Sequence, residues 1–132
     1  MNNQRSDIAA LILRITLGTA LIAHGLLKFL VFTLPGAAAF FTSVGFPGWA
    51  AYVVAPLEVV TGVAVLVGFN VTIAALIALP VLLGALVVHS GNGWLFINPN
   101  GGWEYPAVLA LLAVGVALLG DGAYSLRRTT KP

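Results

Sequence analysis

Apolar residues run through this chain in four long blocks, broken by short interruptions rich in glycine, proline and asparagine. The blocks extend from Ile8 to Phe32, Tyr52 to Phe69, Val71 to His89, and Tyr105 to Leu119 with an extension toward Leu126. A helical crossing of a bilayer takes about 20 apolar residues, and only a helix satisfies its own backbone in lipid over that length. Period-two alternation is absent, so the pattern predicts an all-α membrane protein: a four-transmembrane-helix bundle in a single domain over residues 1–132. Gly68, Phe69 and Asn70 are all that separates the second and third blocks, which predicts a tight turn and an antiparallel hairpin.

The prolines refine this layout. Pro56 and Pro106 fall in predicted first turns, where a missing N–H costs little, whereas Pro80 is mid-span and is expected to kink the third helix. Two connections are long, from Thr33 to Ala51 and from Ser90 to Glu104, and both are apolar enough to fold back on the bundle mouth. A weak internal repeat relates the halves, with Gly48-Trp49 followed by Gly62 and Gly102-Trp103 followed by Gly115. If the halves are duplicates, the repeat is parallel, because the first and third helices run the same way.

Composition supports the same class. Residues are 60% hydrophobic and 8% charged, against about 25% charged in a soluble domain. No segment outside the apolar blocks could build a soluble core. With no cysteine, a disulfide, a thiolate nucleophile and iron–sulfur ligation within the chain are excluded. The net charge of +2 comes from a few terminal residues and is too sparse for nucleic acid. Arg5, Arg127, Arg128 and Lys131 lie at the ends, while the two long connections carry no lysine or arginine, so both termini are expected on the cytoplasmic side. Trp49, Trp94 and Trp103 then form an aromatic belt at the outer interface. The first block is too long and too charged for a secretory signal, and is expected to stay as an uncleaved helix.

Four ionisable residues inside the blocks change the picture from structure to chemistry. Arg14, His24 and Lys28 fall within an arc of about 80° on one helix face, with Gly18 and Gly25 beside them. Charges in hydrocarbon must be paired, hydrated or used, and small residues admit a neighbouring backbone, so this face points inward. Counted from the outer ends, His24 and Glu58 lie about 10–12 Å deep, at matching levels. Arg14 is deeper, within reach of Glu58 or of Asp121. Two roles stay open. Arg14 and Glu58 can form a structural ion pair that fixes helix register; Glu58 and His24 can instead exchange protons as a catalytic pair, with Lys28 setting their charge. Lys28 can also simply snorkel to the interface.

The ligand chemistry follows from the same residues. A quinone needs an apolar slot, aromatic walls and a proton-carrying donor near its oxygens, and Lys28, His89, Trp94, Trp103 and Glu104 are candidate substrate-binding residues beside Glu58. Haem held between His24 and His89 is disfavoured, because two histidines in such a bundle are easily coincidental. No short ligand spacing marks a metal site.

The order of these motifs resembles a known family. Arg14-x3-Gly18 continuing to His24-Gly25-Leu26-Leu27-Lys28, then Glu58-x3-Gly62-x3-Leu66-x-Gly68, and finally Gly120-x-Gly122-x2-Ser125-Leu126 is similar to the pattern of DoxX-family four-helix membrane proteins across almost the full chain. Members often carry an acidic residue after the final Ser-Leu, where this chain has Arg127. The resemblance implies a group named for a membrane subunit of a thiosulfate:quinone oxidoreductase, with other members linked to redox stress and to catechol or quinone detoxification. Carried over position by position, it points to Arg14, Lys28 and Glu58.

The function expected from residues and resemblance together is a subunit or accessory protein of a quinone-linked redox system in the bacterial cytoplasmic (inner) membrane. It would bind quinone in an outer-half polar cavity and depend on another redox subunit for electrons, and its small-residue faces would permit a homo-oligomer. The rival expectation is a non-enzymatic scaffold or small-solute transport or binding protein whose buried charges are structural.

Overall fold

The computed structural model describes residues 3–126. Arg127, Arg128 and Lys131, used above to orient the termini, lie outside the described residues. Among the described residues all regular structure is helical: α1 (Asn3–Leu30), α2 (Leu34–Ser43), α3 (Ala50–Val67), α4 (Val71–His89) and α5 (Glu104–Leu119), with a short 3-10 turn at Ser90–Asn92.

The four long helices form a closed ring. α1 packs against α3 and α5, and α4 packs against the same two, so α1 and α4 face each other diagonally. The closest seam is α1 against α3, and glycine makes it. A Cβ on Gly18 would stand 2.8 Å from the Gly62 carbonyl oxygen, and one on Gly62 would stand 2.9 Å from the Gly18 carbonyl oxygen. About two turns further along α1, Gly25 meets Ala55 and Val59 just as tightly. These are backbone-to-backbone contacts of the small-residue kind that drives helix association where lipid removes the hydrophobic incentive. Leu17, Leu21, Val65, Ala75, Ala113 and Val116 fill the centre of the ring.

The turn between α3 and α4 forms as its residues dictate. Gly68 closes α3 in the left-handed region at φ 82°, and Asn70 precedes α4 at φ 44°. Three helices, α1, α3 and Val71–Asn92, are long and apolar enough to cross a membrane, and large apolar side chains such as Ile12, Leu30, Val60, Leu111 and Leu118 are exposed around the ring. The protein is a multi-pass membrane protein.

Several boundaries differ from the pattern. α5 stops at Leu119 rather than extending toward Leu126, because Gly120, Gly122 and Tyr124 all take positive φ, which a helix cannot continue through. Its 16 residues span about 24 Å, short of the roughly 30 Å of a hydrocarbon core. α3 begins at Ala50, so Pro56 sits in its second turn rather than its first. The first long connection contains a helix of its own, α2, entered through Thr33, whose hydroxyl accepts from the Gly36 N–H.

Candidate functional site

Two polar centres lie on the inward face of α1, at opposite ends of the bundle. Arg14 is 1% exposed and reaches the end where α1 starts and α3 and α5 finish. Its Nε donates to the Val65 carbonyl at 3.1 Å, and its terminal nitrogens donate to Leu66 (3.4 Å), Ala123 (2.9 Å) and Asp121 carbonyls. Val65 and Leu66 belong to the last turn of α3, whose carbonyls have no intrahelical donor, and a cation suits that negative helix end. The guanidinium therefore ties the end of α3 to the segment after α5. That segment completes the knot: Ala123 N–H donates to Asp7 (3.0 Å), Leu126 N–H donates to Val67 (2.9 Å), and Ser125 packs on Gly68, where a Cβ would lie 2.6 Å from its Cα.

The ion pair expected between Arg14 and Glu58 is not formed. Glu58 instead accepts from Lys28 at 2.9 Å across the α1–α3 seam. The carboxylate is 5% exposed, and Lys28 also reaches the His24 carbonyl one turn back at 3.4 Å. Lys28 is thus drawn inward to a partner rather than out to the interface. His24 Nε2 lies 3.4 Å from the Tyr105 hydroxyl, and the two rings sit 5.5 Å apart.

These groups line a cavity of about 640 Å³ at the end of the bundle opposite Arg14. Its polar lining comes from His24, Lys28, Glu58, His89 and Tyr105; the rest is almost wholly apolar. α2 contributes Phe40 and Phe41, and α4 contributes Pro80, Val81, Gly84 and Val88. Pro80, having no N–H, leaves the Leu76 carbonyl without its usual intrahelical donor beside this space. A pocket of this size with a few convergent polar groups has the form of a small-molecule site.

His24, Lys28, Glu58 and His89 come together here; Trp94, Trp103 and Glu104 do not line the cavity. The two tryptophans pack edge to face at 4.6 Å, and Trp103 and Glu104 N–H groups bond back to Gly93 and Trp94. They knit the second long connection into a compact loop, to which His89 is attached through the Gly101 carbonyl at 3.2 Å. Among the described residues, no three His, Asp or Glu side chains gather as a metal-ligand set. Tyr105 and the α2 phenylalanines were invisible as site residues in the pattern. Tyr105 directly follows Glu104 at an interface, where an aromatic ordinarily signals anchoring.

Comparison with known proteins agrees with the motif order. The DoxX family profile matches residues 9–91, which covers Arg14, His24, Lys28, Glu58 and His89. The Bacillus subtilis (strain 168) protein named "Putative oxidoreductase CatD" is 31% identical over 119 residues, covering 90% of this chain and 84% of that protein. No solved structure matches the chain. The seam glycines, the buried charges and the profile match converge on one assignment: the chain belongs to the DoxX family.

Proposed function

We propose that this protein is a membrane subunit or accessory protein of a quinone-linked redox system, with the cavity beside Lys28 and Glu58 as the quinone site. The observation that carries this reading is an apolar cavity whose few polar groups include a buried ammonium–carboxylate pair and a histidine–tyrosine contact. Reduction of a quinone to a quinol takes up two electrons and two protons. Electrons would come from a redox centre on a partner subunit, since the chain has no cysteine and no cofactor motif. Protons would reach the quinone oxygens by way of His24 and the Glu58 carboxylate, each taking up a proton from water before passing it on, with the Lys28 ammonium holding the charge balance. The relative named as an oxidoreductase supports redox work.

In the same proposal the single domain spans the bacterial inner membrane four times, α5 and the segment after it making the fourth crossing. Both termini are cytoplasmic in this proposal, and the bond between Ala123 and Asp7 supports placing the start of α1 and the segment after α5 on one side. The cavity then lies in the outer half.

Glu58→Gln removes the proton-exchanging carboxylate and keeps the shape. Quinone-dependent turnover in native membranes is expected to fall about 100-fold or more, with the protein still folded and inserted. A second variant, Lys28→Gln with Glu58→Gln, keeps a hydrogen bond across the seam without charge. Under the rival scaffold reading, which the seam-bridging position of the pair favours, this neutral pair retains full function. Loss of turnover in a stably inserted double variant excludes that rival.

A further inference from the structure

Part of the cavity wall is also outer surface. Phe32, Phe40, Val44 and Phe46 line the space and keep a large part of their surface uncovered by protein, Phe40 at 49%. α2 packs against α1 and α3, and its backbone approaches neither α4 nor α5 within 8 Å. The facing wall nevertheless comes from α4, through Val81, Gly84 and Val88. Two walls of one cavity whose backbones stay apart leave room for a slot between them. Gly84 keeps the α4 wall clear, since a Cβ there would find no atom within 4 Å.

The slot has a chemical gradient. Its rim is aromatic and aliphatic, and the connection carrying α2, from Thr33 to Ala51, has no charged residue at all. Such a segment can rest in hydrocarbon without the cost that a charge would carry. The polar groups are deeper, with Glu58 and the Lys28 ammonium bonded to each other on the α1–α3 seam. Rim and interior are therefore ordered for an amphiphile that enters head first from lipid.

Resting on the quinone reading above, we propose that the ligand is a headgroup joined to a long apolar tail, taken laterally from the bilayer through the slot between α2 and α4. The headgroup lies against Lys28, Glu58 and His24, and the tail remains in the slot beneath Phe40. Tail contact then contributes affinity that a tailless headgroup lacks, and α2 serves as the wall that admits the tail.

The absence of native cysteine makes the test direct, because a single introduced thiol is unique. Phe40→Cys places it on the rim, and Leu118→Cys, on a residue 83% exposed on α5 and away from the cavity, serves as control. In proteoliposomes, alkylation by a bulky apolar maleimide is followed with a decyl-tailed benzoquinone and with the same headgroup carrying a methyl in place of the tail, every ring carbon of both being substituted so that neither adds to the thiol, each at saturating concentration. The tailed quinone is expected to slow alkylation of Phe40→Cys by about tenfold, and the tailless one to leave it within about twofold. Neither quinone affects Leu118→Cys. After alkylation, Phe40→Cys is expected to lose about tenfold in affinity for the tailed quinone and to keep its affinity for the other. Equal protection by the two quinones, or unchanged tailed-quinone affinity after alkylation, overturns the lateral slot while leaving the quinone site standing. Failure of the unmodified protein to bind either quinone overturns the site, and the slot with it.

Discussion

Arg14 and Lys28 stand on the same face of α1 and meet the cost of a charge in lipid by different means. Arg14 spends its donors on main-chain carbonyls that no helix can satisfy, a use that suits a planar guanidinium with several fixed N–H groups. Lys28 uses a compact ammonium on one carboxylate. Arg14→Met should therefore leave carbonyls of α3 and of the segment after α5 unpaired, lowering stability by about 3 kcal/mol. Arg14→Lys should recover only part of that, because one ammonium cannot span the same acceptors. Thermal unfolding in mild detergent checks both, and a midpoint unchanged by Arg14→Met removes the clasp. At this scale the sequence marks the right residues, since Arg14, Lys28 and Glu58 are conspicuous by burial cost alone. It leaves their partners open, offering Arg14 either Glu58 or Asp121. Helical spacing shows which residues share a face, but not which neighbour crosses to meet them, and main-chain acceptors such as the Val65 and Ala123 carbonyls carry no side-chain signature.

Helix by helix, glycines with the same neighbours in the sequence do unlike work. Gly62 and Gly115 hold matching places in the internal repeat, yet Gly62 is pressed against Gly18, and a Cβ on Gly115 would meet nothing within 4 Å. Gly18→Ala should force the α1–α3 backbones apart at a cost of about 1–3 kcal/mol. Gly115→Ala should stabilise by up to about 1 kcal/mol, through helix propensity alone. Opposite shifts in unfolding midpoint are the expected outcome; shifts of the same sign would mean that the seam yields without strain. The apolar blocks made the long helices legible, and Gly68 with Asn70 made their hairpin legible too. The end of α5 was not, because Gly120-x-Gly122 is interleaved with residues apolar enough to continue the block. α2 was also missed: ten residues between two turns resemble a connection until Thr33 is seen to cap them.

In the whole molecule, the ring of α1, α3, α4 and α5 separates structure from access. One end is knotted by Arg14 and the segment through Leu126; the other holds the cavity, with α2 against only two of the four helices. A bundle that is stitched at one end can open at the other without losing its register. That division places the residues of the proposed chemistry far from those that hold the fold, so substitutions at Glu58 and at Arg14 should affect different measurements.

The stitching also sets a clock. Arg14 enters the membrane with the first helix, but two of its acceptors, on Asp121 and Ala123, lie 107 and 109 residues later in the chain. At about 5–20 residues per second of synthesis, they arrive between roughly 5 and 20 s after it. Until then the first helix carries a guanidinium that only the end of α3 can partly satisfy. A chain that stops before Asp121 therefore leaves two of the Arg14 hydrogen bonds unmade, so the clasp closes only once the segment after α5 has been synthesised.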